Sequence, residues 1–135
     1  MRYWHHAHFA VWNRSAILEA SDQWYIDRIA DARASAALQG CDGTRWPKMV
    51  GPNNHRLKNV SQRVQKMKYW ESFNPTNALL LWHQPHVIAM AELERRAAKG
   101  SAVAAVVDRL SEVVDLTARF LADYVSYDLR TGRYS

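Results

Sequence analysis

The feature that most constrains the fold is a long amphipathic pattern near the carboxyl end of the chain. Between residues 102 and 126, apolar side chains recur every three or four positions, as they do on one face of an α-helix. A helix of this length with a single apolar stripe needs other helices to cover it. The pattern therefore predicts an all-α fold.

Three further helical segments are predicted before it. We expect a short helix at about residues 4–13, a mostly helical run at about 15–38 and a helix at about 85–99. The residue pair at positions 21 and 22 favours a break of the second run into two helices. Residues suited to begin or end these helices are Ser15, Pro85 and Ser101 at the starts, and Gly40 and Gly100 at the ends.

The remaining segments are irregular. Gly, Pro and Asn residues between positions 40 and 77 predict a long loop, with one short helix near 57–69 where apolar residues return to helical spacing. Residues 127–134 are typical of a strand, a turn at Thr131 and Gly132, and the start of a second strand. Because that strand pair stops early, we expect the chain to be part of a longer domain.

The composition limits the function. A chain of 135 residues, 48% of them hydrophobic, fits a single domain, here residues 1–135, which we expect to be an incomplete one. The net charge of +5 permits anionic partners without naming one. The single Cys41 excludes an internal disulfide, and neither a membrane-spanning run nor a signal-peptide core is visible. If the chain is complete, a cytoplasmic location is the default expectation.

One short motif occurs twice and carries most of the functional information. The pattern Trp-His-x-x-His stands at positions 4–8 and again at 82–86, and each copy leads into an apolar run typical of a helix. Trp presents a flat apolar face with one donor, and neutral His presents one donor and one acceptor. This mixture suits a ligand with apolar faces and many hydroxyls, such as a sugar. The two copies therefore predict two similar elements that face one shared site.

Two other interpretations of the motif remain open. Histidines three residues apart share a helix face and can hold a transition metal. No Cys and no obvious carboxylate ligand accompany them, so we expect neither a metal nor another cofactor. Alternatively, the histidines satisfy buried backbone carbonyls near helix starts, which is an ordinary structural role.

A second candidate site lies in the turn-rich stretch from Gly43 to Met49. Arg45 and Lys48 flank Trp46, and a guanidinium with an ammonium group can hold a phosphate or a carboxylate. The alternative is that Trp46 anchors the loop on the helices while its neighbours stay in solvent. Both interpretations fit the sequence equally well.

The loop as a whole is basic. Seven Lys and Arg residues and no acidic residue lie between positions 43 and 70, interleaved with Trp and Tyr. This composition is typical of a nucleic-acid surface, but it is also typical of a solvated loop, and no recognised nucleic-acid motif accompanies it. A small basic module that binds nucleic acid or another polyanion is therefore the alternative function.

The acidic residues give no sign of a catalytic pair. Glycoside cleavage in most families needs two carboxylates across the scissile bond, whereas the acids here lie mainly on expected helix surfaces. Glu71 is the only acid in the long connection after Asp42. The chain therefore shows no self-sufficient catalytic machinery.

Three ordered motifs carry a resemblance to a known family. The stretches at 3–12, 43–49 and 81–86 together resemble a bacterial branch of the six-hairpin glycosidases, whose distant relatives include the maltose and kojibiose phosphorylases of glycoside hydrolase family 65. The resemblance implies an (α/α)6 toroid of helical hairpins in which the inner-helix ends form a sugar-binding bowl. It also implies that this chain supplies part of the ring, with both motif copies facing the bowl.

The chain also departs from those relatives. Those relatives carry an aromatic-Trp-Asp-x-Glu motif. At the corresponding positions 3–7, this chain begins with Tyr3, Trp4 and His5, and both acids of the motif are missing. Their general-acid Glu lies in a loop after the strand pair that begins here at Tyr127, and this chain ends at Ser135 before that loop. The resemblance therefore implies a parent glycoside hydrolase or phosphorylase to which this chain contributes sugar contacts but no general acid. We expect the chain alone to be inactive.

The expected partners are a carbohydrate ligand and the rest of the catalytic domain, with no membrane. No catalytic residue and no metal ligand is predicted. The residues expected to contact substrate are Trp4 and Trp82 by stacking, His5, His8, His83 and His86 by hydroxyl contacts, and Arg45, Trp46 and Lys48 in the loop.

Overall fold

The computed structural model describes residues 2–48 and 80–134, and these form an all-α fold, as the sequence predicts. The predicted short helix near 57–69 lies outside the described residues. The elements are α1 (Arg2–Val11), a 3-10 helix (Ser15–Ile17), α2 (Glu19–Ile26), α3 (Ile29–Ala37), α4 (Pro85–Ala97), α5 (Ala102–Tyr124), and the short strands β1 (Tyr127–Asp128) and β2 (Arg133–Tyr134).

The longest helix, α5, buries the predicted apolar stripe, including Leu110, Val113 and Phe120. Its main partner is α4, and the short connection between them makes the two a helical hairpin. Gly100 turns the chain with φ at +57°. Ser101 occupies the predicted capping position, but its side chain makes no capping hydrogen bond. No described helix, α5 included, is both long and apolar enough to cross a membrane.

The helical run after α1 is interrupted at a different place from the one predicted. Ser21 and Asp22 both lie within α2. Their side chains are compatible with a helix, because the Ser21 hydroxyl donates to a carbonyl one turn earlier at 2.8 Å and the Asp22 carboxylate is bound by Arg109. The break falls instead between α2 and α3, where Arg28 leaves helical geometry with φ at −113° and ψ at 11°.

The two predicted ends of this run have different outcomes. Ser15 lies inside the 3-10 helix, which follows Arg14 without any side-chain cap, so the predicted cap at Ser15 is wrong. Gly40 has φ at +77°, and the N–H groups of Gly40 and Cys41 each donate to a carbonyl at the end of α3 at 3.1 Å. This arrangement is a Schellman-type ending, and it confirms the predicted helix stop.

Among residues 2–48 and 80–134, two groups of buried apolar side chains join the helices, and α4 contributes to both. One group contains Ala32, Trp46, Val87 and Val113. The other contains Ala10, Leu18 and Met90. Because α1 packs on α4 through the second group, the start of α1 is held beside the start of α4.

Residues 43–47 run through the core and are all buried. Gly43 has φ at +77°, and a Cβ atom there would overlap the Leu116 carbonyl oxygen of α5. The Thr44 N–H donates to that same carbonyl at 2.9 Å, and the Arg45 N–H donates to the Ala32 carbonyl of α3 at 3.1 Å. The stretch is therefore fixed between α3 and α5.

The chain after α5 forms the predicted hairpin. Strands β1 and β2 pair antiparallel, with Tyr127 opposite Tyr134, and Gly132 has φ at +65° in the turn. The Asp128 carboxylate accepts the Thr131 hydroxyl at 2.8 Å, and this hydrogen bond is the main cause that lowers the pKa of Asp128. The turn position predicted from Thr131 and Gly132 is confirmed.

Candidate functional site

The two Trp-His-x-x-His copies meet at His86. This residue lies in the first turn of α4, and its ring stacks on Tyr3 of α1 with 4.8 Å between centroids and 18° between planes. The Trp82 ring lies nearly perpendicular to the same imidazole at 5.4 Å, and the Trp4 ring does so at 6.5 Å. Residues of both copies therefore lie on one surface. We call Tyr3, Trp4, Trp82 and His86 the aromatic cluster.

The aromatic cluster is open to solvent. Trp4 is 67% exposed and Trp82 is 50% exposed, whereas Tyr3 and His86 are half-buried. Contiguous exposed apolar surface of this kind often marks a binding site. Burial lowers the pKa of His86, so its imidazole is neutral at pH 7 and offers one donor and one acceptor.

A buried amide fixes the turn that carries Trp82. Gln84 is 0% exposed; its Oε1 accepts the Trp46 N–H at 2.8 Å, and its Nε2 donates to the Trp46 carbonyl at 2.7 Å. The Trp46 indole N–H in turn donates to the Thr117 hydroxyl at 2.8 Å. The Gln84 N–H donates to the Leu81 carbonyl at 2.9 Å and closes the turn. The exposed indole of Trp82 therefore lies on a turn that these buried hydrogen bonds hold in place.

Packing of α1 on α4 positions the other half of the aromatic cluster. Tyr3, Ala7 and Ala10 recur at helical spacing and pack in the group that includes Met90 of α4. Trp4 follows Tyr3 by one position, which rotates its side chain about 100° around the helix. Trp4 therefore projects into solvent while its neighbour stays against α4.

The other motif histidines have different surroundings. The His83 Nε2 lies 2.9 Å from the Trp46 carbonyl oxygen, to which it donates in the matching tautomer. This contact is the structural role that the sequence left open. His5 is exposed on α1, and the His8 ring lies 4.6 Å from the Trp12 ring. In residues 2–48 and 80–134, no three His, Cys, Asp or Glu side chains are grouped to hold a metal ion.

The loop residues predicted to contact substrate lie mostly in the core. Arg45 is 3% exposed, and its guanidinium donates to the Ser35 hydroxyl at 3.4 Å. Trp46 is 1% exposed, with its ring 4.8 Å from that of Tyr25. Lys48 is half-buried at the edge of this stretch. The burial of Arg45 and Trp46 removes them from a surface site and favours the interpretation in which Trp46 anchors the loop.

The sequence analysis missed a buried ion cluster between helices. Arg109 of α5 donates through Nη2 to Asp22 of α2 at 3.1 Å and to Glu94 of α4 at 3.0 Å. Both carboxylates are at most 1% exposed. A signal was present, because Glu94 shares the buried face of α4 with Val87 and Met90, and a charge on an apolar face requires a partner. The cluster joins three helices, and its carboxylates are enclosed.

Comparisons with known proteins do not assign this chain to a family. No known family matches the chain, and no curated protein or solved structure is significantly similar to it. The resemblance to the six-hairpin glycosidases therefore stays a prediction.

Proposed function

We propose that the aromatic cluster is a carbohydrate-binding wall, and that the chain contributes it to an enzyme domain of the six-hairpin glycosidase type acting on glycosidic bonds. One observation carries this proposal. Trp4 and Trp82, from two distant copies of one motif, both approach the ring of His86 and both remain at least half exposed.

The chemistry of these four side chains matches a sugar ring. A pyranose has apolar C–H faces and a rim of hydroxyls, so it needs flat apolar partners and a few groups that donate and accept. The two indoles supply the faces, and each has one N–H donor. His86 is neutral at pH 7 because burial lowers its pKa, so it can accept from one hydroxyl and donate to another.

The described residues bind rather than cleave under this proposal. Among residues 2–48 and 80–134, no carboxylate hydrogen-bonds to a member of the aromatic cluster. The enclosed carboxylates Asp22 and Glu94 are held by Arg109. The general acid of the parent enzyme would come from another part of its domain. The choice between hydrolysis and phosphorolysis would be made there as well.

Within the part of the chain that the structure describes, the polyanion alternative has less support. The described part of the basic stretch is 43–48, and its Arg45 is 3% exposed. A buried guanidinium that bonds to Ser35 is not available to a phosphate backbone. The aromatic cluster itself contains no cationic side chain at pH 7. We therefore favour a neutral ligand.

Nuclear magnetic resonance of the indole N–H groups tests the proposal. Titration of the full chain with neutral gluco-oligosaccharides should shift the signals of Trp4 and Trp82. Alanine at either position should weaken binding by up to about tenfold, which corresponds to the roughly 0.5–1.5 kcal/mol of one aromatic contact. The control is Leu38→Ala, an apolar side chain that is 64% exposed on α3's carboxyl end. It should leave binding unchanged.

Salt separates the sugar from the polyanion. Sugar stacking should hardly respond to salt, whereas polyanion binding should weaken steeply through counterion release. Binding of single-stranded DNA with a steep salt dependence, together with no shift on adding any oligosaccharide, would contradict the proposal.

A further inference from the structure

Aromatic rings continue from the aromatic cluster along α1, the two Trp rings exposed and the His8 ring half-buried. Trp4, His8 and Trp12 stand at every fourth position, so they lie about 40° apart around the helix and on one side of it. Trp4 is 67% exposed and Trp12 is 65% exposed. Between them, the His8 ring lies 4.6 Å from the Trp12 ring. The Trp12 N–H donates to the His8 carbonyl at 2.9 Å, which extends the helical path past Val11.

This row is longer than one sugar ring. Eight residues of helix separate Trp4 from Trp12, and they rise about 12 Å along the axis. His86 and Trp82 extend the row beyond Trp4, since the His86 ring is 6.5 Å from Trp4 and 5.4 Å from Trp82. A single pyranose would leave Trp12 without a function in binding. A chain of linked rings would reach from Trp82 to Trp12.

The charge of the row favours a neutral occupant. Its side chains are indoles and imidazoles, and none of them is a carboxylate, an ammonium or a guanidinium group. His86 is neutral at pH 7 because burial lowers its pKa. A polyanion would meet no fixed positive charge in the row itself, whereas a neutral hydroxyl-rich chain would meet flat faces alternating with donors and acceptors.

We propose that the row from Trp82 through Trp4 to Trp12 is an extended binding surface for a linear, neutral oligosaccharide. This inference rests on the proposed function, and it adds that the substrate is a chain of sugar units rather than a monosaccharide. Trp12 is then the outer binding position, and Trp82 with His86 is the inner one. Trp12 sets the preferred chain length and does not take part in bond cleavage.

The test is a length series of ligands on the full chain. Isothermal titration calorimetry would use α-1,4-linked and β-1,4-linked gluco-oligosaccharides of increasing length. For at least one linkage, the affinity of the natural sequence should rise with length and then level off. Trp12→Ala should remove about tenfold of that rise while leaving the disaccharide affinity unchanged. Trp82→Ala should weaken every length alike.

Two further variants serve as controls. Trp12→Phe retains a flat ring, so it should keep most of the length dependence. Leu129→Ala removes another apolar side chain, 89% exposed, and should change nothing. Circular dichroism should show that each variant keeps its helix content.

The outcomes distinguish this inference from the function on which it rests. If the chain binds sugars but Trp12→Ala has the same length dependence as the natural sequence, the extended surface is refuted and the carbohydrate wall stands. If no oligosaccharide binds, both are refuted. If Trp12→Ala instead abolishes binding to phosphatidylcholine vesicles or abolishes a dimer seen by sedimentation velocity, the row has a different occupant and the inference is overturned.

Discussion

Replacement of Gln84 by Leu tests whether the buried Gln84 amide holds the turn that carries Trp82. The change removes both hydrogen bonds between the Gln84 amide and the Trp46 backbone, at 2.8 and 2.7 Å. In the tautomer that protonates Nε2, the Trp46 carbonyl keeps the His83 ring as a donor at 2.9 Å, but the Trp46 N–H is left in the core without its acceptor. One orphaned buried N–H and one lost amide bond together should lower the free energy of unfolding by about 2–4 kcal/mol.

That loss is large against the roughly 5–15 kcal/mol by which domains are usually stable. Urea unfolding followed by circular dichroism at 222 nm would measure it. The matched control is Gln23→Leu, because Gln23 makes one exposed hydrogen bond to Asp27 one helical turn away. The control should lose at most about 0.5 kcal/mol. Equal midpoints for Gln84→Leu and the natural sequence would show that the amide does not hold the turn.

Gln84→Glu adds a test of the hydrogen-bond directions. A carboxylate at this position can accept the Trp46 N–H but cannot donate to the Trp46 carbonyl, and its charge would be buried. A protonated carboxyl can do both. The folded-state pKa of the introduced carboxyl group should therefore be raised. The variant should approach the stability of the natural sequence at low pH and lose stability as pH rises through that pKa. A constant difference between the two proteins across pH 4–8 would refute the assignment.

Three other predictions follow from contacts elsewhere in the chain. Arg109→Leu should destabilise the fold by about 3–5 kcal/mol because it leaves two enclosed carboxylates without their guanidinium, and an unchanged thermal midpoint would contradict it. Gly43→Ala should destabilise by at least about 1–3 kcal/mol, since the left-handed backbone and the contact with α5 both oppose a Cβ atom; an unchanged urea midpoint would count against that packing. The pKa of His86, lowered by burial, should be measured below 6.5 by NMR titration. Because the unfolded chain then binds its proton first as pH falls, the unfolding free energy should decrease below pH 6.5, and a folded-state titration at or above that value would contradict the reasoning.

Local patterns predicted the helices well because each signal acts over one or two turns. The stripe on α5 requires only a periodic sequence, and Leu110, Val113 and Phe120 are buried as that period demands. Gly40 ends α3 with a positive φ, which other residues rarely adopt, whereas the stop predicted at Gly100 is wrong: α4 ends at Ala97, where Ala98 is already extended, and Gly100 lies in the turn that follows. The break at Arg28 was missed because neither proline nor glycine marks it and no side chain caps the start of α3.

The burial of the loop residues could not be predicted from local sequence. Trp46 stands between Arg45 and Lys48 in a stretch rich in Gly and Pro, which is typical of a surface turn. Its hydrogen-bonding partners lie 38 and 71 positions later in the chain, at Gln84 and Thr117. Only the tertiary fold brings these groups together. Local composition therefore could not show that Arg45 and Trp46 lie in the core rather than at a surface site.

The two motif copies share residue types but not roles, and the difference explains how the aromatic cluster is built. In the second copy, His83 bonds to the Trp46 backbone, His86 is half-buried against Tyr3, and Trp82 is 50% exposed. In the first copy, His5 is exposed, and Trp4 is positioned by the packing of α1 and by ring contacts with Tyr3 and His86. A binding surface gains affinity when its side chains are already in position before the ligand arrives. The buried hydrogen bonds of Gln84 hold Trp82 in position in this way. Their expected contribution to the free energy of unfolding, about 2–4 kcal/mol, exceeds the roughly 0.5–1.5 kcal/mol of a single aromatic contact. A ligand of the proposed surface would therefore not have to order that turn when it binds.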